Sequence, residues 1–307
     1  MAPPAAHFIC ARVRGILRKQ VAMAHGKHVI VTASDSRCGD FLLEHWYRSL
    51  RENVTLDDID VVVLDYGLSE EQQQRISGVG IGIRSCEHDG HITNIRYRDL
   101  SVLLDEQPYD QVLLVDGGDI IFQRDIRHLF GQSPERMRAV CDQRKYSLHD
   151  VLPILSDFQP EERQAISRFL HDKPQINGGF VLGPAQGFLR LWEEFRERTH
   201  SLSQFAADQV LINYSLHREG FEELPSCYNF VLVAARSPFF VQQGQFFDEH
   251  ESLIPVVHNA GHTAFFRRVA RFGYGEDRNR VKLSSHVAVR ILFWAVNLWG
   301  RLVGGTR

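Results

Sequence analysis

Short apolar runs alternate with segments of helical period through the first half of the chain. His28-Val29-Ile30-Val31-Thr32 and Asp60-Val61-Val62-Val63-Leu64-Asp65 are apolar at consecutive positions, the pattern of strands buried on both faces. Ile81-Gly82-Ile83 and Val112-Leu113-Leu114-Val115 read as a third and a fourth strand. Between them, Leu42 to Leu50 and Asn94 to Leu104 repeat at helical period, and Ser69 caps a polar helix opened by Glu70-Glu71-Gln72. This order predicts an α/β fold, with a mostly parallel sheet and helices on both faces. Such sheets bind ligands outside the carboxyl ends of their strands.

The second half is less regular. A helical excursion is expected within residues 146–173, and Phe180-Val181-Leu182 reads as a strand ended by Gly183-Pro184. Gln186 to Thr199 and Ser203 to Leu216 have helical character, and Ile254 to His258 reads as a late strand. The organisation expected is an N-terminal extension (1–27), one α/β domain (28–265) and a C-terminal tail (266–307).

Composition changes this picture at the tail. The chain is 44% hydrophobic with a net charge of -3, which argues against disorder and against a nucleic-acid partner. Residues 266–307 hold nine Lys or Arg and two acids, a net of +7, so residues 1–265 carry -10. On a helix over Val287 to Val303, Arg290, Asn297 and Arg301 share one stripe. Ile291, Trp294, Ala295, Leu298 and Leu302 lie opposite, flanked by Phe293 and Trp299. That is the pattern of a helix lying on an anionic membrane surface. Met1 to Lys27 lacks the apolar core of a secretory signal, and no stretch of about 18 uncharged apolar residues is present. The five scattered cysteines read as reduced thiols. The expected setting is the cytoplasm, peripheral on the cytoplasmic face of a membrane.

Candidate chemistry begins at Val115-Asp116-Gly117-Gly118-Asp119. Ionised carboxylates beside a buried strand are costly unless something positive meets them. A divalent cation is the simplest partner, because hard cations prefer carboxylate oxygens. Residues three apart on a regular strand face opposite ways, so Gly117-Gly118 must break the pleat, as at a bulge, for both acids to share an ion. An Asp-Gly turn between strands uses the same residues for backbone reasons alone. Three further signals follow: Asn177-Gly178-Gly179 before a strand, Asp208-Gln209 within a helical segment, and His258 at a strand end with Gly261 three residues on. Each alone has a plainer reading, as a turn, a solvated helix face and a packed histidine.

Their order is more telling. An acidic strand end, Asn-Gly-Gly, Asp-Gln on a helix, and a strand-end His with Gly together resemble glycosyltransferase family eight, over about residues 28 to 265. That family includes glycogenin and lipopolysaccharide galactosyl- and glucosyltransferases. The stretch Leu114 to Phe122 also resembles the glycosyltransferase domains of lysyl hydroxylases. The resemblance implies a GT-A fold and transfer of a sugar from a nucleoside diphosphate, as in a UDP-sugar, to an acceptor hydroxyl with retention. It implies Mn²⁺ (or Mg²⁺) held by Asp116, Asp119 and His258, with Asp208 and Gln209 near the anomeric carbon. Thr32, Ala33, Ser34 and Asp35 would face the base and ribose. Arg96, Asn177, Gly178, Gly179 and Gly261 would contact substrates. Two departures stand out. The usual Asp-x-Asp is Asp-x-x-Asp here, and the family's Lys after His-x-x-Gly is missing, leaving His262 or Arg267 to meet the diphosphate. The acceptor implied is a glycan or a lipid-linked sugar. Alternatives are a nucleotide-sugar-binding, membrane-surface module without turnover, and a sugar nucleotidyltransferase. The latter would want a basic Gly-rich loop where Ser34-Asp35-Ser36-Arg37-Cys38-Gly39 stands.

Overall fold

A computed structural model describes residues 27–143, 157–261 and 267–282. Nearly all of the N-terminal extension, His262 and the amphipathic segment Val287 to Val303 lie outside the described residues. No helix among the described residues is long and apolar enough to cross a membrane.

The chain opens with β1 (His28–Ser34), β2 (Ile59–Asp65), β3 (Gly82–Ser85) and β4 (Gln111–Val115). β5 (Ile120–Phe122) leaves for a second sheet, and β6 (Arg138–Cys141), β7 (Ile176–Pro184) and β8 (Glu222–Glu223) complete the first. The main sheet has the order β3-β2-β1-β4-β7-β6-β8. β7 runs antiparallel to both neighbours, and the remaining pairs are parallel. β9 (Phe230–Val231), the hairpin β10 (Phe239–Gln242) and β11 (Gln245–Asp248), then β12 (Val256–His258) follow. β12 lies between β5 and β9 in the second sheet.

The consecutive apolar residues of the strands divide between two cores. Val29, Val31, Val62, Leu64, Val112 and Leu114 pack against the helices Ile92–Glu106, Ala185–Arg198 and Ala207–Glu219. Ile30, Val61, Val63, Leu113 and Val115 point the other way, onto Leu42, Trp46 and Leu50 of the helical stretch over residues 39–53. Strand period two thus supplies an apolar residue to each helical layer, the sandwich that the sequence pattern predicts. Ser69 caps Glu70–Gly78 reciprocally: its hydroxyl accepts from the Gln72 N–H (3.2 Å), and Gln72 Oε1 accepts from the Ser69 N–H (3.0 Å). Within the expected excursion, Pro160–Leu170 is a helix with Pro at its start.

Two expectations change. Asn177-Gly178-Gly179 lies inside β7 rather than in a turn before it. The register between β6 and β7 breaks between Ala139 and Cys141, and side chains replace the missing ladder bonds. Gly178 N–H donates to Gln209 Oε1 and Gly179 N–H to Asn177 Oδ1, each at 3.0 Å. The second change concerns Asp116 to Asp119, where a change of sheet takes the place of a bulge.

Candidate metal and donor site

β4 ends at Val115 and the chain crosses to β5 in the other sheet. Asp116 N–H donates to the Gly179 carbonyl (3.0 Å), one residue beyond the last β4–β7 pair. The Asp119 carbonyl accepts from Asn259 N–H (2.9 Å), one residue beyond the last β5–β12 pair. Each acid therefore ends a different sheet, and the two glycines make the crossing. Neither glycine is needed for a left-handed backbone; Gly117 is needed for space, and Gly118 lies close against the Cys38 side chain. A Cβ on Gly117 would stand 2.5 Å from Thr32 Oγ1, and one on Gly118 would stand 3.0 Å from Cys38 Sγ.

His258, the last residue of β12, is 2% exposed and faces both acids. Its Nε2 is 3.3 Å from Asp119 Oδ1 and 3.8 Å from Asp116 Oδ2. One ligand atom from each of the three lies within 4.8 Å of the others. Burial alone would lower the His258 pKa, but the charges of Asp119 and Asp116 outweigh it and raise it. Burial would raise Asp119, but His258 and then Arg267 hold it below the usual carboxylate value. Two carboxylates and an imidazole crowded at strand ends fit a divalent ion with mixed oxygen and nitrogen ligands.

Behind the acids sits Arg96, 3% exposed. Its Nη1 donates to Asp116 Oδ1 (2.5 Å), its Nη2 to Gly178 O (3.3 Å) and Asp208 Oδ2 (3.4 Å), and its Nε to Thr93 O (3.1 Å). Asp208 is held further by the Thr93 hydroxyl on Oδ1 (3.1 Å) and, at its own N–H, by Asn94 Oδ1 (2.9 Å). Burial raises the Asp208 pKa, against the opposing charge of Arg96.

Known structures share this arrangement of elements. The chain is similar to the galactosyltransferase LgtC, solved with donor and acceptor sugar analogues, at 20% identity and a TM-score of 0.50. That match covers 78% of this chain and 90% of LgtC. It is also similar to the bifunctional glycosyltransferase WbbM, at 14% identity and a TM-score of 0.51, over 82% of this chain and 48% of WbbM. The apo form of the Streptococcus pneumoniae glycosyltransferase GlyE matches at 17% identity and a TM-score of 0.50, over 90% of this chain and 63% of GlyE. The chain has the GT-A glycosyltransferase fold. No protein-family model and no curated protein sequence matches it.

Within this GT-A fold, most of the residues singled out in the sequence converge. Asp116, Asp119, His258, Arg96, Asn177, Gly178, Gly179, Asp208 and Gln209 form one connected group. Gln209 is committed to the backbone at both ends, since its Nε2 also donates to the Ile176 carbonyl. Arg267 joins from the other side, with Nη2 3.4 Å from Asp119 Oδ2 and Nε donating to Gly261 O (3.2 Å). Thr32, Ala33 and Ser34 end β1 and Asp35 follows it, beside the acid crossing where Thr32 meets Gly117. The Asp35 carboxylate is taken by Arg37, whose Nε approaches Oδ2 at 2.7 Å.

Two residues of this group were missed. Asn229 sits at the end of a short 3-10 turn, Ser226–Asn229, in a stretch with no periodicity to mark it. Its Oδ1 lies 3.0 Å from His258 Nδ1. Asp142 directly follows β6, and burial pushes its carboxyl up to about 7, against the charge of His258 and the polar side chain of Asn177. A lone Asp after a four-residue strand carries no signal in the sequence.

Gly179 gives a direct test of the packing. A Cβ there would stand 2.5 Å from His258 Cε1 and 2.7 Å from Asp116 Oδ2. Gly179→Ala is therefore expected to push two candidate ligand side chains apart, costing about 1–3 kcal/mol of stability and weakening any divalent-cation binding, with Mn²⁺ as the probe, more than ~10-fold. Calorimetric Mn²⁺ titration with a parallel thermal melt checks it. Unchanged affinity would show that the two side chains do not meet over this glycine.

Proposed function

We propose that this protein is a divalent-metal-dependent glycosyltransferase that moves a sugar from a nucleoside diphosphate, in a UDP-sugar, to an acceptor hydroxyl with retention. The observation that carries the reading is the meeting of Asp116, Asp119 and His258 just beyond the carboxyl end of β4, the side on which α/β sheets bind ligands. The donor and acceptor analogues bound by LgtC support a sugar donor and a sugar acceptor for this chain as well.

A bound divalent ion would neutralise charge developing on the leaving diphosphate. Asp116 and Asp119 offer it oxygens and His258 a nitrogen, a set that favours Mn²⁺ over Mg²⁺. Arg267, 39% exposed beside Asp119, takes the place of the family's lysine as a cation for phosphate oxygens. Asp208, fixed by Thr93 and Arg96, supplies oriented negative charge against an oxocarbenium-like transition state. Gln209 supports this by holding the backbone of β7 at Ile176 and Gly178.

A panel of nucleotide sugars with Mn²⁺, read by thermal shift, tests the reading. A donor at ~100 times its Kd stabilises by about 2.7 kcal/mol, which is a rise of roughly 5 °C for a domain of this size. Slow hydrolysis of the same donor should require the metal. Stabilisation without turnover would favour a binding module; no response to any donor would overturn the proposal.

A further inference from the structure

We propose that Asn259 is a positioning residue for Arg267: its side-chain amide, paired with the backbone of Val269, holds Arg267 beside Asp119, where it can meet a phosphate oxygen of the donor. The purpose rests on the transferase reading; the clamp itself does not.

After Arg267 the chain forms a small hairpin, β13 (Val269–Ala270) and β14 (Arg280–Val281), outside both larger sheets. Something other than a shared sheet must therefore fix this segment against the site. Asn259 directly follows His258, is 1% exposed, and donates its N–H to the Asp119 carbonyl (2.9 Å). Its side chain meets the buried Val269: Oδ1 accepts from the Val269 N–H (3.4 Å), and Nδ2 donates to the Val269 carbonyl (3.1 Å). A peptide N–H only donates and a carbonyl only accepts, so the side chain here must offer one acceptor and one donor. A primary amide does so; a carboxylate or an apolar group does not. The Asn259 side chain thus takes the place of a peptide on a neighbouring strand. It ties the backbone next to Asp119 to a point two residues past Arg267.

The Arg267 side chain is 39% exposed. Nη2 lies 3.4 Å from Asp119 Oδ2, and Nε donates to the Gly261 carbonyl (3.2 Å). A long exposed arginine loses rotamer freedom when it grips an anion. A backbone already fixed lowers the ordering cost and raises affinity by preorganisation. The far end of the hairpin is pinned as well. Asn279 is buried with a left-handed backbone (φ 68°). Its Nδ2 donates to the carbonyls of Gly244 (2.7 Å) and Gly273 (2.8 Å), and its Oδ1 accepts from the Gly273 N–H (3.0 Å).

The test is a double-mutant cycle on the binding of uridine diphosphate, measured by calorimetry at saturating Mn²⁺. Arg267→Ala should weaken binding by ~10–100-fold, the scale of a charge-assisted hydrogen bond to phosphate. Asn259→Leu should weaken it by ~10-fold alone, and by less than ~2-fold once Arg267 is alanine. If Asn259 acted instead through its neighbours Asp119 or His258, its loss would be the same in both backgrounds, and the proposal would fall. Asn279→Gly keeps the left-handed backbone and removes the far clip, whose bonds go to Gly244 and Gly273 and not to the acids. It should show a smaller loss, ~3-fold, that also vanishes without Arg267, and it decides if Asn259→Leu does not fold. Wild-type protein that binds no uridine diphosphate would count against the transferase reading. Hydrogen exchange at the Val269 amide then judges the clamp in metal-free protein. Exchange should be at least ~10-fold faster in Asn259→Leu, or in Asn279→Gly should the first not fold, and unchanged in Arg267→Ala. Unchanged protection in the asparagine variant would overturn the clamp.

Discussion

Asp119→Asn is expected to lower the proposed metal-dependent transfer by on the order of 10³-fold, with the fold intact. The scale follows from the several kcal/mol that an active-site metal contributes to transition-state stabilisation, at about 1.4 kcal/mol per tenfold in rate. The substitution keeps the shape of the side chain and removes its charge. The backbone of Asp119 works independently, its carbonyl holding Asn259 and through it the β5–β12 edge. The side chain is the shared partner of His258 and Arg267. An amide there leaves Asp116 as the lone anionic ligand of the three. Asp116 is already engaged by Arg96 through Oδ1. Calorimetric Mn²⁺ titration, transfer at saturating metal and a far-ultraviolet melt read the three consequences separately. Activity within tenfold of wild type would remove Asp119 from the metal site. A collapsed melt would assign it to the fold instead.

Arg96→Leu is expected to produce the largest loss of stability, about 3–5 kcal/mol, because it breaks buried ion pairs from one side. Burial by itself would lower the Arg96 pKa, but the charges of Asp116 and Asp208 outweigh it and keep the guanidinium firmly charged. Leucine would leave the Asp208 carboxylate, 5% exposed, without its cation. It would also leave the Gly178 and Thr93 carbonyls without that donor. The melting temperature should fall on the order of 10 °C. Adding Asp208→Asn should return part of the loss, since the two side chains are in contact and their effects are not additive. Arg75 gives the contrast. Its side chain is 40% exposed against Asp40 and Glu44, and Arg75→Leu should cost less than about 1 kcal/mol. Equal losses from the two substitutions would show that the burial of Arg96 is not what matters.

These two residues differ in how far the sequence announces them. Asp119 stands where four apolar residues give way to acids, so its unusual setting is visible in the one-dimensional pattern. Arg96 is one basic residue on a helix that also carries Arg98. Only packing separates them. Arg96 points inward to Asp116, and Arg98 points outward to Asp89. Asn177-Gly178-Gly179 was legible as a special segment but was misplaced. Its glycines read as a turn, whereas they lie in a strand whose ladder is completed by Asn177 and Gln209. Asn229 had no signal, because a hydrogen bond to His258 from a short turn leaves neither period nor charge in the sequence.

The sequence by itself determined the four leading strands, the helices on either face and the residue types able to hold a cation, but not the short strands β6 and β8 to β11. What it determined depends on local periodicity and side-chain chemistry, which a short window contains. Only the tertiary structure decided that the two acids meet. Asp116 ends one sheet and Asp119 borders another, and His258 reaches them because β12 pairs with β5 from far along the chain. Tertiary structure also decided which arginine is buried and which nitrogen of His258 faces the acids. Both depend on contacts between residues distant in sequence, where burial makes an unpaired charge or a misdirected hydrogen bond costly.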